Sequence, residues 1–330
     1  MFATYPQKLH KESHVRVIAP SRSLALPWIT DSVKSNATNQ LNEMGLRVTV
    51  APHALEKDAF DSSSVNSRRE DLHQAFRDSD VQLALTAIGG FNSNQLFPSL
   101  DWELMATHPT LLCGFSDITA LANALWAKTG LVTYSGPHFS SFGMEQGLEY
   151  TVEYFQKCLF GTSSYDVQPA EYWSDDLWAL KQNQRHFEKN EGWWVLQEGE
   201  AEGRIIGGNL CTLNLLQGTP FMPSLSNALL FLEDDYEVNA ATFDRDLTSL
   251  IQQKDFHLVQ GIVIGRFQKA SKITRALLQS IVDSKKELRG LPILANADFG
   301  HTTPIFTFPI GGYGQIRCKE TDSQIRIMEH

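Results

Sequence analysis

The stretch Leu111-Leu112-Cys113-Gly114-Phe115-Ser116-Asp117-Ile118-Thr119-Ala120-Leu121 decides the fold of this chain. An apolar run ends at a glycine, a serine follows two residues later, and a helical pattern then begins. This is the layout of a nucleophile elbow, in which a buried strand, a sharp turn and a helix present a serine hydroxyl. The turn would direct the N–H of Asp117 and the positive helix end towards an oxyanion formed at Ser116. The same pattern also fits Ser116 acting only as a helix N-cap, so both interpretations stay open.

Length and composition indicate an ordinary soluble globular protein. The chain has 330 residues, 42% of them hydrophobic and 20% charged, and this length favours two domains. The net charge of −10 argues against nucleic acid or an anionic membrane as a partner, because both attract basic surfaces. The four cysteines lie far apart, which indicates neither a zinc site nor a redox pair. Residues 1–14 lack the apolar core of a signal peptide, so a cytoplasmic protein is expected.

Strand patterns alternate with helical patterns along the first half of the chain. The predicted strands lie at 15–21, 46–50, 81–88, 111–113 and 131–134, and the predicted helices at 27–44, 62–77 and 117–128. Strands that alternate with helices pair in parallel, so the pattern predicts an α/β domain.

The second half begins with a segment of different character. Residues 161–199 are polar and weakly periodic, yet hold four of the seven tryptophans. They are predicted either as a linker pinned to the surface or as a loop over a cleft, offering the faces of Trp173 or Trp178 to a planar ligand. Strand and helix patterns then resume. The predicted organisation is an N-terminal parallel-sheet α/β domain (1–160), this aromatic segment (161–199), and a second α/β domain with a strand-rich C-terminal part (200–330).

Several polar residues follow predicted strands, where α/β proteins place their sites. Glu233 ends the run Leu229-Leu230-Phe231-Leu232 and is either a site carboxylate or a helix-start acid. His301 follows a strand and a glycine, and is either a general base or a loop histidine. Gly89-Gly90 ends another strand, either as a tight turn or as backbone that a ligand approaches closely. Gly207-Gly208 is assigned only to a tight turn.

Five short motifs, taken together, resemble one family. They are Gly-Phe-Ser-Asp at 114–117, Ile-Gly-Gly-Phe-Asn-Ser-Asn at 88–94, Gly-Gly-Asn-Leu at 207–210, Leu-Glu-Asp at 232–234 and Gly-His at 300–301. Their order and types resemble the LD-carboxypeptidase family of serine peptidases, which includes the microcin C self-immunity peptidases. The resemblance extends over nearly the whole chain.

The resemblance implies roles for the candidate residues. It implies a catalytic triad of Ser116, Glu233 and His301, and an oxyanion hole formed by the backbone N–H groups of Gly90 and Asp117. It further implies two α/β-type domains with the site between them and a cytoplasmic homodimer. No metal or other cofactor is expected.

One departure bears on the substrate. Murein-acting members commonly carry arginine before the glycine pair, where it would suit a substrate carboxylate, whereas Ala87-Ile88 precede Gly89-Gly90 here. This departure and the tryptophan-rich segment resemble the microcin C immunity branch, whose members hydrolyse an amide between an aminoacyl residue and a nucleotide-like moiety. The predicted function is therefore hydrolysis of an amide in a small peptide or aminoacyl-nucleotide substrate. Trp178, Trp173 and Gly89 are the candidate substrate-binding residues.

Three alternatives remain at this point. The first is a cytoplasmic murein tetrapeptide LD-carboxypeptidase. The second is an α/β-hydrolase esterase, which shares the Ser–acid–His order but usually has glycine two residues after the serine, where this chain has Ile118. The third is a non-catalytic binding protein on a related fold, which would have no reason to keep the serine, glutamate and histidine together.

Overall fold

The computed structural model describes residues 2–330 as two large β-sheets, one small sheet and eight α-helices. The strands are β1 (His14–Ile18), β2 (Arg47–Val50), β3 (Val81–Thr86), β4 (Leu111–Cys113), β5 (Thr133–Ser135), β6 (Tyr165–Val167), β7 (Tyr172–Trp173), β8 (Glu188–Lys189), β9 (Trp194–Gln197), β10 (Gly199–Asn209), β11 (Ala228–Glu233), β12 (Gly261–Gly265), β13 (Ile293–Ala297), β14 (Phe308–Ile310), β15 (Tyr313–Cys318) and β16 (Gln324–Glu329). The helices are α1 (Asp31–Glu43), α2 (Val65–Arg77), α3 (Trp102–Thr107), α4 (Ile118–Thr129), α5 (Glu149–Leu159), α6 (Leu210–Asn214), α7 (Ala240–Ile251) and α8 (Arg275–Asp283). No helix within residues 2–330 is long and apolar enough to cross a membrane.

The first sheet has the order β14-β5-β4-β3-β1-β2, and its first five strands in sequence pair in parallel. Helical connections between these strands follow the rule that parallel neighbours need a crossover. The remaining strand, β14, comes from the far end of the chain and pairs antiparallel with β5. The two halves of the sequence are therefore joined within one sheet.

The second sheet has the order β6-β16-β15-β10-β11-β12-β13-β9. Its centre, from β10 to β13, is parallel, and both flanks are antiparallel. Strands β11, β12 and β13 are buried along their whole length, as expected for parallel strands covered on both faces. A mixed α/β fold with a parallel N-terminal sheet and a strand-rich C-terminal part is thus confirmed.

The segment 161–199 differs from the expected linker or loop. Its strand β6 forms one edge of the second sheet and β9 forms the other, while β7 and β8 make a separate hairpin. These strands are two to four residues long, too short to show a hydrophobic period in the sequence. Helices α3 and α5 were likewise absent from the predicted pattern.

Helix α4 joins the two sheets. Nine of its twelve residues are buried, because its outer face packs against β10 of the second sheet. The side chain of Asn123 exchanges hydrogen bonds with the backbone of Gly207, and a Cβ on Gly208 would lie 2.4 Å from the Thr119 hydroxyl. Gly207-Gly208 therefore lies inside a strand and permits close helix packing, and its assignment to a tight turn is wrong.

Candidate active site

Ser116 lies in a strained turn between β4 and α4. Its backbone φ is +61°, a left-handed conformation that is uncommon for residues other than glycine. The residue that caps α4 is Asp117, whose side chain makes no capping hydrogen bond. The turn therefore directs the Ser116 hydroxyl away from the helix, and the interpretation of Ser116 as an N-cap does not describe this structure.

Ser116, His301 and Glu233 form a continuous chain of hydrogen bonds. The Ser116 Oγ lies 3.1 Å from His301 Nε2, and His301 Nδ1 lies 2.7 Å from Glu233 Oε2. With Nδ1–H donating to the carboxylate, Nε2 is free to accept the serine proton. Glycine at position 300 allows this approach, because a Cβ there would lie 2.6 Å from Glu233 Oε2.

The environment of His301 favours its protonated form. Burial lowers the pKa of the imidazole, but the charge and hydrogen bond of Glu233, with the charges of Asp235 and Asp234, outweigh burial and raise the pKa above 6.5. A general base must be neutral to accept a proton, so its proton has to be lost before it can act.

We expect kcat/KM to rise with pH along an ionisation whose midpoint lies above 6.5, the ordinary value for histidine. Burial, followed by the charge of Glu233, raises the pKa of Asp234 to about 7, so this carboxyl titrates in the same range. The matched control is Asp234→Asn. It removes a negative charge near His301, so the rise should persist with a lower midpoint. Loss of the rise in Asp234→Asn would identify Asp234, rather than His301, as the titrating group.

Two backbone N–H groups beside Ser116 are available for an oxyanion. Neither the Gly90 N–H nor the Asp117 N–H has a hydrogen-bond partner among residues 2–330. Gly89 lies against the nucleophile, since a Cβ there would be 2.8 Å from Ser116 Cβ. A Cβ on Gly90 would be 2.3 Å from Ser21 Oγ. Glycine at 89 therefore lets the backbone approach Ser116, and glycine at 90 lets it pass close to Ser21.

The carboxylate of Asp117 holds this glycine segment in place. It accepts hydrogen bonds from the Ser21 hydroxyl at 2.5 Å and from the N–H groups of Asn92 and Ser93 at 3.1 and 2.9 Å. The Ser93 hydroxyl in turn donates to the Asp117 carbonyl at 2.8 Å. The Asp117 side chain thus fixes the segment that follows Gly90, which the sequence predicts as an oxyanion donor together with the Asp117 N–H.

A cavity of about 170 Å³, which we call the histidine-side cavity, opens at His301. Its lining includes Phe115, Ser141, Asp175, Asp176, Trp178 and His301. Paired backbone hydrogen bonds between Ser174 and Thr303, at 2.7 and 2.8 Å, attach the tryptophan segment to the loop that carries the histidine. Trp178 packs edge-on against Trp28, with ring centroids 6.2 Å apart.

Trp173 does not line this cavity. Its ring lies 4.8 Å from the Arg266 guanidinium and 5.2 Å from the Lys269 ammonium group, so two cations occupy its surroundings. Trp173 is therefore not among the residues that would contact a ligand in the histidine-side cavity.

His138, which no sequence motif indicates, is buried directly behind the site. Its ring stacks on Phe115 at 4.4 Å between centroids, and its Nδ1 lies 2.7 Å from the Thr86 hydroxyl. Burial, with a smaller contribution from the charge of His301, lowers the pKa of His138 to about 3. The ring therefore stays neutral and packs as a wall behind Phe115. Its position after a short strand gave no signal that separates it from the other histidines.

Comparisons with known proteins place the chain in a family. Residues 15–136 match the LD-carboxypeptidase N-terminal domain and residues 202–316 match the LD-carboxypeptidase C-terminal domain. The chain belongs to the LD-carboxypeptidase family, as the five motifs predicted.

The names of three relatives show the range of activities assigned within the family. The putative carboxypeptidase YocD of Bacillus subtilis is 51% identical over 99% of this chain and 100% of its own. The microcin C7 self-immunity protein MccF of Escherichia coli is 32% identical over 82% of this chain and 81% of its own. A probable murein peptide carboxypeptidase of Bacillus subtilis is 29% identical over 97% of this chain and 93% of its own.

Solved structures share the same fold. An MccF-like protein from Bacillus anthracis superimposes with a TM-score of 0.98 at 52% identity, covering 99% of this chain and 100% of that one. MccF in complex with glutamyl sulfamoyl guanosine superimposes with a TM-score of 0.88 at 27% identity, covering 98% of each chain. The homologues of this chain thus support its assignment as a peptidase.

Proposed function

We propose that this chain is a serine peptidase that hydrolyses the amide bond between an aminoacyl residue and a nucleotide-like moiety. The observation that carries the proposal is the hydrogen-bonded chain Ser116–His301–Glu233, at 3.1 and 2.7 Å, beside a cavity lined by Trp178. A serine, a base and an orienting carboxylate within hydrogen-bond reach are the parts that nucleophilic acyl transfer requires.

The mechanism follows from these positions. Ser116 Oγ attacks the scissile carbonyl carbon while His301 Nε2 accepts its proton, and Glu233 stabilises the imidazolium that forms. The N–H groups of Gly90 and Asp117 donate to the oxyanion. His301 then protonates the leaving nitrogen, the C–N bond breaks, and an acyl-serine ester remains. A water molecule, deprotonated by His301, hydrolyses the ester and restores the Ser116 hydroxyl.

The wall of the histidine-side cavity favours a nucleotide-like leaving group. The leaving group takes its proton from His301 and so lies on that side, where the acids Asp175 and Asp176 are paired with Lys269 and Arg185, at 3.9 and 3.6 Å. Among residues 2–330, no lysine or arginine lines this wall to bind the carboxylate of the amino acid that a murein tetrapeptide would release. A purine ring can instead stack on Trp178, and MccF has been solved with glutamyl sulfamoyl guanosine in complex.

The test is a side-by-side assay of an aminoacyl sulfamoyl adenosine and an L,D-linked murein tetrapeptide. We expect higher kcat/KM for the nucleotide substrate. In Trp178→Ala the KM for this substrate should rise about 5- to 150-fold while kcat is spared, since stacking contributes about 1–3 kcal/mol in the ground and transition states alike.

The matched control is Leu177→Ala, which removes an exposed apolar side chain from the same segment outside the cavity and should leave KM unchanged. Equal or faster turnover of the tetrapeptide would make murein carboxypeptidase the better assignment. An unchanged KM in Trp178→Ala would remove the stacking role.

A further inference from the structure

Two oppositely charged side chains, Asp117 and Arg68, are buried against the segment that follows the glycine pair. Each residue is 2% exposed. Asp117 directly follows Ser116, and Arg68 lies on α2. Burying a charge is costly unless neighbouring groups compensate it. In the proposed mechanism only the backbone N–H of Asp117 takes part, and Arg68 takes none.

The Arg68 guanidinium holds separate parts of the chain together. Its Nε donates to the Ser63 carbonyl at 3.0 Å, and its Nη1 donates to the carbonyls of Pro20 and Asn92 at 3.2 and 2.9 Å. Its Nη2 donates to the Gln95 side chain at 2.7 Å. All these acceptors are neutral oxygens, so they satisfy the donors of the guanidinium without cancelling its positive charge.

The Asp117 carboxylate is likewise surrounded by neutral groups. The Ser21 hydroxyl and the N–H groups of Asn92 and Ser93 all donate to its Oδ2, at 2.5, 3.1 and 2.9 Å. Hydrogen bonds from neutral groups stabilise a buried charge but do not neutralise it. The carboxylate belongs to the residue whose N–H is proposed to bind the oxyanion. Its negative charge therefore opposes the formation of a second negative charge beside it.

Asn92 links the two buried charges. Its side-chain and backbone oxygens accept hydrogen bonds from Arg68 Nη1 at 3.2 and 2.9 Å, and its N–H donates to Asp117 Oδ2. Burial lowers the pKa of the Arg68 guanidinium, and the negative charges of Asp117 and Asp58 oppose this lowering. The guanidinium and the Asp117 carboxylate thus act on each other across Asn92, which lies two residues after Gly90.

We propose that Arg68 is a positioning residue of the oxyanion site, whose positive charge offsets that of the Asp117 carboxylate while its hydrogen bonds fix the segment after Gly90. The inference rests on the proposed function, because an oxyanion forms only if Ser116 attacks a carbonyl. With the two buried charges in balance, the oxyanion meets the N–H groups of Gly90 and Asp117 without net repulsion from the carboxylate. This effect belongs to the transition state, since the bound substrate still has a neutral carbonyl.

The experiment measures kcat and KM for an aminoacyl sulfamoyl adenosine. Arg68→Met removes the charge and keeps an unbranched side chain. We expect kcat to fall about 10- to 100-fold, less than the roughly 10²- to 10³-fold loss for deletion of an oxyanion donor itself, with KM nearly unchanged. Arg68→Lys keeps the charge without the forked contacts, and its kcat should stay within about fivefold of the wild type.

The double variant Arg68→Met/Asp117→Asn separates charge balance from a structural clamp. The three donors converge on one oxygen of Asp117, so an amide oxygen can accept their hydrogen bonds once the negative charge is removed. The double variant should recover kcat to within about fivefold of the wild type, whereas loss of a clamp would persist. Asp117→Asn alone should keep kcat at or above the wild-type value, a test that holds even if Arg68→Met does not fold.

The matched control is Arg69→Met, which removes an equal charge from the next residue of α2 and should leave kcat and KM unchanged. Thermal unfolding of each variant separates loss of the fold from loss of rate. An unchanged kcat in folded Arg68→Met, no recovery in the double variant, or a loss of about tenfold or more in Asp117→Asn would overturn the role of Arg68 alone. Absence of amide hydrolysis by the wild type would overturn the proposed function, and the inference with it.

Discussion

Replacing Ser116 with alanine is expected to lower kcat by about four orders of magnitude or more, as removal of a triad nucleophile does. Without the hydroxyl there is no acyl-serine intermediate, and the remaining rate comes only from the oxyanion donors and substrate binding. The change deletes one oxygen whose partner is His301 Nε2 at 3.1 Å. Turnover measured under substrate saturation tests this directly.

The variant should retain the wild-type fold, because alanine and serine both tolerate the φ of +61° poorly and to a similar extent. Ser141→Ala is the matched control, since it also removes a serine hydroxyl and Ser141 lines the histidine-side cavity. It should change kcat by less than a few-fold. A loss below tenfold in well-folded Ser116→Ala would exclude Ser116 as the nucleophile.

Glu233→Gln is expected to lower kcat by about three to four orders of magnitude, the range seen when a triad carboxylate becomes an amide. The Glu233 carboxylate accepts the His301 Nδ1–H at 2.7 Å, and it is buried. An amide that presents its N–H₂ group to Nδ1 would favour the other histidine tautomer, which cannot accept the serine proton at Nε2. Steady-state kinetics at the pH optimum measure the effect.

Two nearby acids serve as controls for Glu233. Glu237 follows four residues later on the exposed surface, so Glu237→Gln should be close to wild type. Asp234 is buried, but its oxygens accept hydrogen bonds from the Asn209 side chain and the Cys211 N–H rather than from His301. Asp234→Asn should therefore lower kcat far less than Glu233→Gln does. A larger loss in Glu237→Gln than in Glu233→Gln would place the orienting acid elsewhere.

The local sequence was sufficient to predict the elbow and the candidate site residues. Ser116 follows a buried strand and precedes a helix, and this local order forces the turn wherever the strand packs. Glu233 and His301 each follow a buried strand of the second sheet. Since parallel strands end at a common edge, residues at those ends come close together without further information. The family motifs, being short and local, were likewise readable from the chain.

Only the tertiary structure decided which side chains surround Ser116. Trp173 and Trp178 look equivalent in sequence, yet one lies between two cations and the other lines the cavity. Arg22 is 94 residues from Ser116, yet its N–H donates to the carbonyl of Gly89, which lies against Ser116. The local sequence pattern predicts backbone conformation and burial. The direction of a side chain depends instead on contacts with residues that are distant in sequence. The sequence by itself therefore determined the fold class and candidate catalytic residues, and packing decided which side chains line the cavity beside His301.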